Sequence, residues 1–240
     1  MDTYALHDLG TLLAGNPYPG RGIAVGKSAD GRHAAVAYFI MGRSENSRNR
    51  VFAATEDGIR TQAFDPAKLK DPSLIIYHPV RRLENRLIVT NGDQTDTVRD
   101  GLLAGESFSQ ALTRRCFEPD GPNWTPRISA MLTFGGGDFT YEMSILKSAD
   151  AEGTACSRFT FSYPALSGVG HFLHTYVTDG NPVIPTFQGE PERVTIGNDP
   201  EAFASQVWDS LNADNKVSLY INWIDLATGE ESVRIFNKNQ

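Results

Sequence analysis

The sequence predicts an α+β fold in which antiparallel strands outnumber helices. Short runs of alternating apolar and polar residues recur, separated by turn dipeptides such as Asp57-Gly58, and this pattern is typical of β-hairpins. Helical periodicity is confined to two parts of the chain, after Asn91 and after Asp199. Strands with segregated helices define the α+β class. No repeat or low-complexity segment divides the 240 residues, so we expect one domain over 1–240.

The strands are predicted from period-two runs that end at Gly, Asp or Pro. In chain order they cover residues 22–26, 34–41, 51–55, 59–64, 74–77, 87–90, 127–134, 139–146, 158–163, 171–178, 217–225 and 232–236.

Three helices are predicted from their capping signals. Thr95 or Asp96 caps a short helix that runs to residue 103. Ser107 begins a second helix and has a glutamine three residues later, the spacing of a capping box. Asp199 begins the last helix, with a proline in its first turn.

Composition excludes two classes of protein. The net charge is −7 at pH 7, with acidic and basic residues mixed along the chain, whereas sequence-independent nucleic-acid binding needs a concentrated basic face. No run approaches the roughly 18 apolar residues of a membrane-spanning helix, and the N-terminus lacks the features of a secretion signal. We expect a soluble cytoplasmic protein with no nucleic-acid and no membrane partner. A local arginine cluster can still bind a small anion.

Cysteine and histidine give no sign of a metal site. Cys116 and Cys156 lie in apolar surroundings; they could form a disulfide, but reduced core thiols are favoured in a cytoplasmic protein. Neither has a histidine or a second cysteine at metal-ligand spacing. His171 and His174 should point to opposite faces of their strand, which argues against a metal pair.

An arginine-rich loop lies between two predicted strands, over residues 42–50. Its sequence is Gly-Arg-Ser-Glu-Asn-Ser-Arg-Asn-Arg, and the planar donors of arginine match two phosphate oxygens at once. Such a run is usually a solvated basic loop. Because strands anchor both ends of this loop, a phosphate site is an equally good interpretation of its sequence.

Three more polar clusters occur where predicted strands or helices end. They are Tyr77-His78-Pro79, the segment 91–96 (Asn-Gly-Asp-Gln-Thr-Asp) and the proline-rich segment 117–127. Tyrosine and histidine can transfer protons, and a stiff proline-rich loop can hold Glu118 in a fixed position. Each also has a structural interpretation: a packed tyrosine ring, a turn followed by a helix cap, and a rigid connector.

Several common catalytic signatures are missing from the sequence. There is no Walker A loop, no Gly-x-Ser-x-Gly elbow and no Gly-x-Gly-x-x-Gly motif after the first strand. Dinucleotide-cofactor chemistry and an α/β-hydrolase triad therefore lack support.

Taken together, the polar clusters resemble motifs of the archaeal-type inosine monophosphate (IMP) cyclohydrolases. The similarity extends in family order over roughly the first 135 residues. The matching segments are Gly-Ile-Ala-Val-Gly at 22–26, Gly42-Arg43-Ser44 with Asn49-Arg50, Ile76-Tyr77, Val-Thr-Asn-Gly-Asp-Gln-Thr-Asp-Thr at 89–97, and Thr125-Pro126-Arg127-Ile128.

The resemblance implies a fold and a reaction. The fold would be a four-layer α-β-β-α sandwich of antiparallel sheets like that of the N-terminal-nucleophile (Ntn) hydrolases, without their processing. Removing Met1 would expose Asp2, which is not the usual Ser, Thr or Cys nucleophile. The reaction would be closure of a formamidoimidazole carboxamide ribotide to IMP with loss of water, in de novo purine biosynthesis. It would need no metal and no organic cofactor.

The resemblance also implies roles for individual residues. Tyr77, Glu118 and Asn91 would be catalytic, as proton donor, proton acceptor and oxyanion stabiliser. The ribotide, the implied small-molecule partner, would be bound by Arg43, Ser44, Asn49, Arg50, Gly92, Asp93, Thr95, Asp96, Thr125 and Arg127. The resemblance leaves a homo-oligomer open.

Two other interpretations remain open at this point. One is a different cyclic-amide hydrolase on the same fold, with Cys116 or Ser44 as nucleophile. The other is a purine-nucleotide-binding protein without catalytic activity.

Overall fold

The computed structural model describes residues 2, 4–69, 72 and 74–239 and shows two antiparallel β-sheets with a few short helices. A 3-10 turn occupies Pro66–Lys68. In chain order the other elements are α1 (Leu9–Ala14), β1 (Arg21–Lys27), β2 (His33–Met41), α2 (Glu45–Arg48), β3 (Arg50–Thr55), β4 (Gly58–Ala63), β5 (Val80–Leu83), β6 (Arg86–Thr90), α3 (Gln94–Leu103), α4 (Phe108–Leu112), β7 (Arg127–Gly135), β8 (Asp138–Ser148), β9 (Cys156–Pro164), β10 (Val169–His174), β11 (Glu192–Thr195), α5 (Pro200–Ser210), β12 (Lys216–Asp225) and β13 (Glu231–Asn237).

The strands form one six-stranded and one seven-stranded sheet. The six-stranded sheet has the order β11-β10-β1-β2-β12-β13, and the seven-stranded sheet runs β3 to β9 in chain order. The predicted α+β class with antiparallel sheets is therefore confirmed. None of the helices in the described residues has both the length and the hydrophobicity that crossing a membrane requires.

Three apolar clusters hold these elements together. The largest combines buried side chains of both sheets, for example Tyr38 of β2 with Phe52 of β3. A second joins the six-stranded sheet to α1 and α5, and a third joins the seven-stranded sheet to α3 and α4. Each sheet thus has one face in the shared core and one face under helices.

Two of the predicted helix starts are confirmed. Ser107 and Gln110 form the reciprocal hydrogen bonds of a capping box at α4. The carboxylate of Asp199 accepts hydrogen bonds from the backbone N–H groups of Glu201 and Ala202 at 2.9 and 3.2 Å, and it caps α5. These caps satisfy backbone donors that the helix itself leaves unpaired.

The predicted start of the helix after Asn91 is wrong by two to three residues. The helix begins at Gln94, with Asp93 in the cap position, so Thr95 and Asp96 lie inside it. Tertiary contacts explain the difference: the Thr95 hydroxyl lies 2.6 Å from that of Thr90, and Asp96 binds Arg81 at 2.9 Å.

The predicted strand over 74–77 is also wrong. The backbone N–H groups of Ile75 and Ile76 both donate to the carbonyl of Pro72, at 3.1 and 2.9 Å, and form a turn. Strand pairing begins only after Pro79, at β5. The apolar run is buried, but prolines near both ends favour a turn over a ladder.

Candidate active site

Two arginines, Arg21 and Arg50, point into one end of the interior between the two sheets, and a third, Arg127, is close enough to act on Glu118 there. Arg21, Arg50 and Arg127 are the first residues of β1, β3 and β7. Side chains on a strand alternate between two faces. Arg21 and Arg50 are therefore on the same side as the core residues Ile23 and Phe52, two positions further on. The fold thus brings positive charge into one end of the interior between the sheets.

Arg50 is fully buried and incompletely paired. Its Nε donates to the carbonyl of Ser47 at 2.7 Å, and its Nη2 donates to the carbonyl of Met41 at 3.3 Å. Its Nη1 is buried without a hydrogen-bond partner among the described residues. Burial lowers the pKa of Arg50, against the opposing effect of Tyr77. A buried guanidinium with a free donor is suited to bind an anion.

Glu118 is the carboxylate nearest to these arginines. It is buried, and its Oε2 lies 3.9 Å from Nη2 of Arg21, too far for a hydrogen bond. Burial raises the pKa of Glu118, while Arg21, Arg127 and Arg50 act in the opposite direction. Burial would lower the pKa of Arg21, but the charge of Glu118 raises it above its ordinary value. The carboxylate is therefore free to interact with a ligand.

Tyr77 lies beside Tyr38 within this interior. Both side chains are buried, and their hydroxyl oxygens are 2.9 Å apart. The backbone N–H of Tyr77 donates to the hydroxyl of Thr61 at 2.8 Å, which fixes the turn that carries it. Burial and the neighbouring Tyr77 raise the pKa of Tyr38 well above its ordinary value. Tyr38 therefore remains a protonated partner for the Tyr77 hydroxyl.

Thr125 positions the backbone of the Glu118 loop. The N–H of Glu118 donates to the carbonyl of Thr125 at 2.8 Å. The N–H of Thr125 donates to Asp120 at 2.7 Å, and the hydroxyl of Thr125 is 2.5 Å from that of Tyr176. The ring of Tyr176 stacks on Tyr18 with centroids 5.8 Å apart. This chain of contacts connects Glu118 to the segment after β10.

Asn91 uses its side chain to connect strands. Its Nδ2 donates to the carbonyl of Pro126 at 2.8 Å, and its Oδ1 accepts from the N–H of Ile128 at 2.9 Å. Nε2 of Gln94 also donates to Oδ1, at 2.9 Å. The amide is completely buried. It therefore fixes the start of β7, where Arg127 is placed.

The segment after Asn91 holds Arg127 in a fixed orientation. Nη1 of Arg127 donates to Asp93 at 2.8 Å and to the Gln94 side chain at 2.7 Å. Asp93 also contacts Arg115. A Cβ on Gly92 would lie 2.4 Å from Nη1 of Arg127, so a larger residue there would displace the guanidinium from this position.

Replacing Asn91 with alanine should destabilise the protein. The change removes three hydrogen bonds and leaves buried backbone groups unpaired, so the free energy of unfolding should fall by about 2–4 kcal/mol. Urea unfolding followed by circular dichroism measures it. Asn85→Ala is the control, because Asn85 is exposed and makes one side-chain hydrogen bond, to the carbonyl of Phe134 at 2.6 Å. An unchanged midpoint for Asn91→Ala would contradict the structural role.

Other predicted binding residues lie outside this group of side chains. Arg43 lies at its rim: Nη1 donates to Asp179 and to the carbonyl of Gly180, at 2.6 and 2.7 Å. Ser44 caps α2 and is exposed. Asn49 exchanges two hydrogen bonds with the backbone of Asp65, at 2.8 and 2.7 Å.

The structure also bears on the alternative nucleophiles and on metal binding. Cys116 and Cys156 are free thiols, and they neighbour each other closely enough to interact. The hydroxyl of Ser44 is engaged by Ser47 at 3.0 Å. Across the described ranges, no three His, Cys, Asp or Glu side chains are grouped so that they could hold a metal ion.

Sequence reasoning missed Arg21, Tyr38, Asp120 and Tyr176. Arg21 and Tyr38 could have been found, because each shares a strand face with apolar residues two positions away. Arg21 is two residues before Ile23, and Tyr38 is two residues from both Val36 and Ile40. A polar residue on that face is buried and needs a partner. We name Arg21, Arg50, Tyr77 and Glu118, with Tyr38, the reaction cluster.

The fold and the reaction cluster define a class of protein: a two-sheet α+β protein in which buried guanidinium groups lie near a buried carboxyl group and two buried tyrosines. Residues 18–230 match a family model described as IMP cyclohydrolase-like protein. The chain belongs to this family, as the motifs had indicated. The match continues well past residue 135, where the sequence motifs end.

Individual relatives agree with the family. The chain is 32% identical to the IMP cyclohydrolase of Methanopyrus kandleri over 146 residues, which cover 57% of this chain and 72% of the relative. It is 30% identical to the IMP cyclohydrolase of Methanococcus aeolicus over 163 residues, 66% of this chain and 74% of the relative. A Methanococcus maripaludis IMP cyclohydrolase is 34% identical over 124 residues, 48% of this chain and 58% of the relative.

Proposed function

We propose that this chain is an IMP cyclohydrolase, which closes 5-formamidoimidazole-4-carboxamide ribotide to IMP and releases water in purine biosynthesis. The observation that carries the proposal is the buried, unpartnered Nη1 of Arg50 in a group with two guanidinium ions and one carboxylate. That excess of buried positive charge is costly unless an anion balances it. The family membership supports a ribotide phosphate as this anion.

The reaction requires no external nucleophile, but both ring closure and the loss of water require a proton to leave a nitrogen and a proton to reach the oxygen. The carboxamide nitrogen attacks the formyl carbon of the same molecule, and a C–N bond forms. Glu118 accepts a proton from that nitrogen, and Tyr77 donates a proton to the formyl oxygen as it gains charge. The new hydroxyl then takes the proton held by Glu118 and leaves as water, and the proton lost by the former formamide nitrogen restores Tyr77. Holding the two groups in contact supplies much of the rate enhancement.

The surrounding residues bind and orient the ribotide. Arg50 and Arg21 neutralise the phosphate, and Arg43 lies at the rim over the ring of Tyr18, 5.1 Å from its centroid. Arg127, held by Asp93, contributes further positive potential near Glu118. Asn91 acts by fixing Arg127 and the start of β7; the backbone near Gly92 is the oxyanion contact from this segment.

We also propose the finer description of the architecture, a single domain with four layers in the order α-β-β-α, like the Ntn hydrolases. The three apolar clusters support it, because one lies between the sheets and the other two lie beneath α1 with α5 and α3 with α4.

Tyr77→Phe should reduce turnover about 100-fold, the low end of the range for a lost proton donor, with ribotide affinity within several-fold of the parent. Tyr38→Phe should have a smaller effect of roughly 10-fold, because it removes a hydrogen bond to Tyr77 and not the donor itself. Steady-state kinetics separate the two. Tyr141→Phe is the control: it removes a buried hydroxyl that bonds His171 at 2.6 Å. Parent-like turnover in Tyr77→Phe would remove its proposed role.

The proposed function is tested by incubating the purified chain with the formamido ribotide and following the ultraviolet change of ring closure. IMP should form with no added metal or cofactor. Calorimetry that shows IMP binding, together with no cyclisation in the optical assay, would instead favour a nucleotide-binding protein without catalytic activity.

A further inference from the structure

A cavity, which we name the α1 cavity, lies on the helix-covered side of the six-stranded sheet. Its volume is about 350 Å³, within the range of roughly 300–1,000 Å³ that is usual for small-molecule sites. Its walls combine apolar and polar side chains and come from α1, the end of β10 and the segment that follows. The apolar lining residues are Leu12, Leu13, Pro19, Phe172, Val177 and Phe187.

His174 presents a fixed acceptor to the α1 cavity. Its Nδ1 is 2.8 Å from the carbonyl of Tyr176; a carbonyl only accepts, so Nδ1 carries the proton. Phe172 stacks on the ring with centroids 4.9 Å apart, and Phe187 contacts it edge-on at 4.5 Å. His171 of the same strand instead reaches Tyr141 of the other sheet. The prediction that the two histidines point to opposite faces is therefore confirmed.

Glu192 adds a negative charge beside this imidazole. Its Oε1 is 3.9 Å from Nε2 of His174, which leaves Nε2 without a hydrogen bond in the described part of the chain. No lysine or arginine is among the residues that line the cavity. Lys147 comes near its rim but donates to the carbonyl of Phe187 and to Gln188, both at 3.0 Å.

The other polar side chains at the cavity are engaged within the fold. Asn16 donates to the carbonyls of Tyr176 and Val177, at 3.2 and 2.9 Å. The hydroxyl of Thr11 donates to Asp8 at 2.7 Å. What remains for a ligand is a pair of acceptors, one of them an anion, between aromatic walls.

We propose that the α1 cavity binds a flat organic cation, such as an aryl amidine or a protonated heterocyclic amine. Its N–H groups donate to Glu192 and to Nε2 of His174, and its ring packs against Phe172 and Phe187. The site is distinct from the reaction cluster: Phe172 and His174 lie on the helix side of β10, with Phe172 in the apolar cluster under α1 and α5, whereas Arg21 lies on the opposite face of the sheet, in phase with Ile23. This inference does not depend on the proposed function.

Isothermal titration calorimetry with benzamidine as the probe tests the site. Binding is expected with a Kd of roughly 1 mM or tighter, as a small aromatic ligand allows. Glu192→Gln should weaken it at least about tenfold, since a charge-assisted hydrogen bond is lost. Glu190→Gln, the same change outside the lining, should leave it unchanged. Benzoate, of similar shape and opposite charge, should not bind.

Two further variants locate the binding. Val177→Trp should fill the cavity mouth and abolish benzamidine binding, whereas Val183→Trp should not; both valines are 47% exposed, so both variants should fold. Glu118→Gln should leave benzamidine affinity unchanged. Equal weakening by Glu190→Gln and Glu192→Gln, loss of binding in Glu118→Gln, or no binding to the parent chain would each overturn the proposal.

Discussion

Glu118→Gln is expected to reduce turnover by about 10²–10³-fold, since the variant lacks the group that accepts the amide proton. Ribotide affinity should stay within several-fold, because glutamine keeps the size and the hydrogen-bonding capacity of the side chain. Single-turnover kinetics, combined with a binding isotherm for IMP, separate the two quantities. A variant with parent-like turnover would show that Glu118 is not the base.

The same variant should alter the pH dependence of stability. Burial raises the pKa of Glu118 above its unfolded value. Its favourable contribution is therefore complete below the unfolded pKa, about 4.3, and is lost as pH rises through the higher folded pKa. Glu118→Gln should remove this loss of stability. The melting temperatures of the parent and the variant should therefore diverge as pH rises above the folded pKa. Glu201→Gln, an exposed carboxylate paired with Arg234 at 2.6 Å, is the control.

The raised pKa of Glu118 also predicts how turnover depends on pH on the acid side. The base works in its ionised form, so turnover should fall as pH drops through the raised pKa of Glu118, above the usual glutamate range. A rate that stays level down to pH 4 would contradict the assignment.

Arg50→Ala is expected to weaken ribotide binding by roughly 10–100-fold, the equivalent of one or two lost charge-assisted hydrogen bonds. The rate of the bound substrate should change less, because Arg50 contacts the phosphate and not the reacting atoms. Equilibrium binding of IMP measures the first quantity, and turnover at saturation measures the second.

Arg48→Ala is the matched control for that change. Arg48 lies on the same loop, but it is exposed and its guanidinium donates to the carbonyl of Gly42 and to Asn215, at 2.9 and 3.0 Å. Its loss should leave ribotide affinity nearly unchanged. Equal weakening by the two variants would point to a general loss of positive charge and would contradict a phosphate site at Arg50.

Local patterns account for most of the hairpins. The period-two runs on either side of Asp57-Gly58 are β3 and β4, and the run after Asn85 is β6, because burial of one face fixes the phase of each strand. Short elements escaped prediction: β5 and β11 have four residues each, too few to show a period. Pairing with a neighbouring strand fixes them: β5 forms a hairpin with β6, and β11 pairs with β10 about 20 residues earlier in the chain.

Residues of the candidate site could be predicted from the sequence only where the residue type has few possible roles in a protein. Chemistry and the family resemblance predict roles for Arg50, Tyr77 and Glu118, and these roles stay predictions. The resemblance also predicts a catalytic amide at Asn91, and the structure shows that amide hydrogen-bonded to Pro126 and Ile128. An amide serves backbone and ligand equally well, so its tertiary partners decide its role.

The central claim is that the reaction cluster holds the ribotide. A crystal structure of Glu118→Gln soaked with the formamido ribotide tests it most directly. The account predicts a phosphate oxygen within about 3.2 Å of Nη1 of Arg50 and the formyl oxygen at hydrogen-bond distance from the hydroxyl of Tyr77. A ribotide bound with its phosphate away from Arg50, or with its formyl group out of reach of Tyr77, would contradict the account.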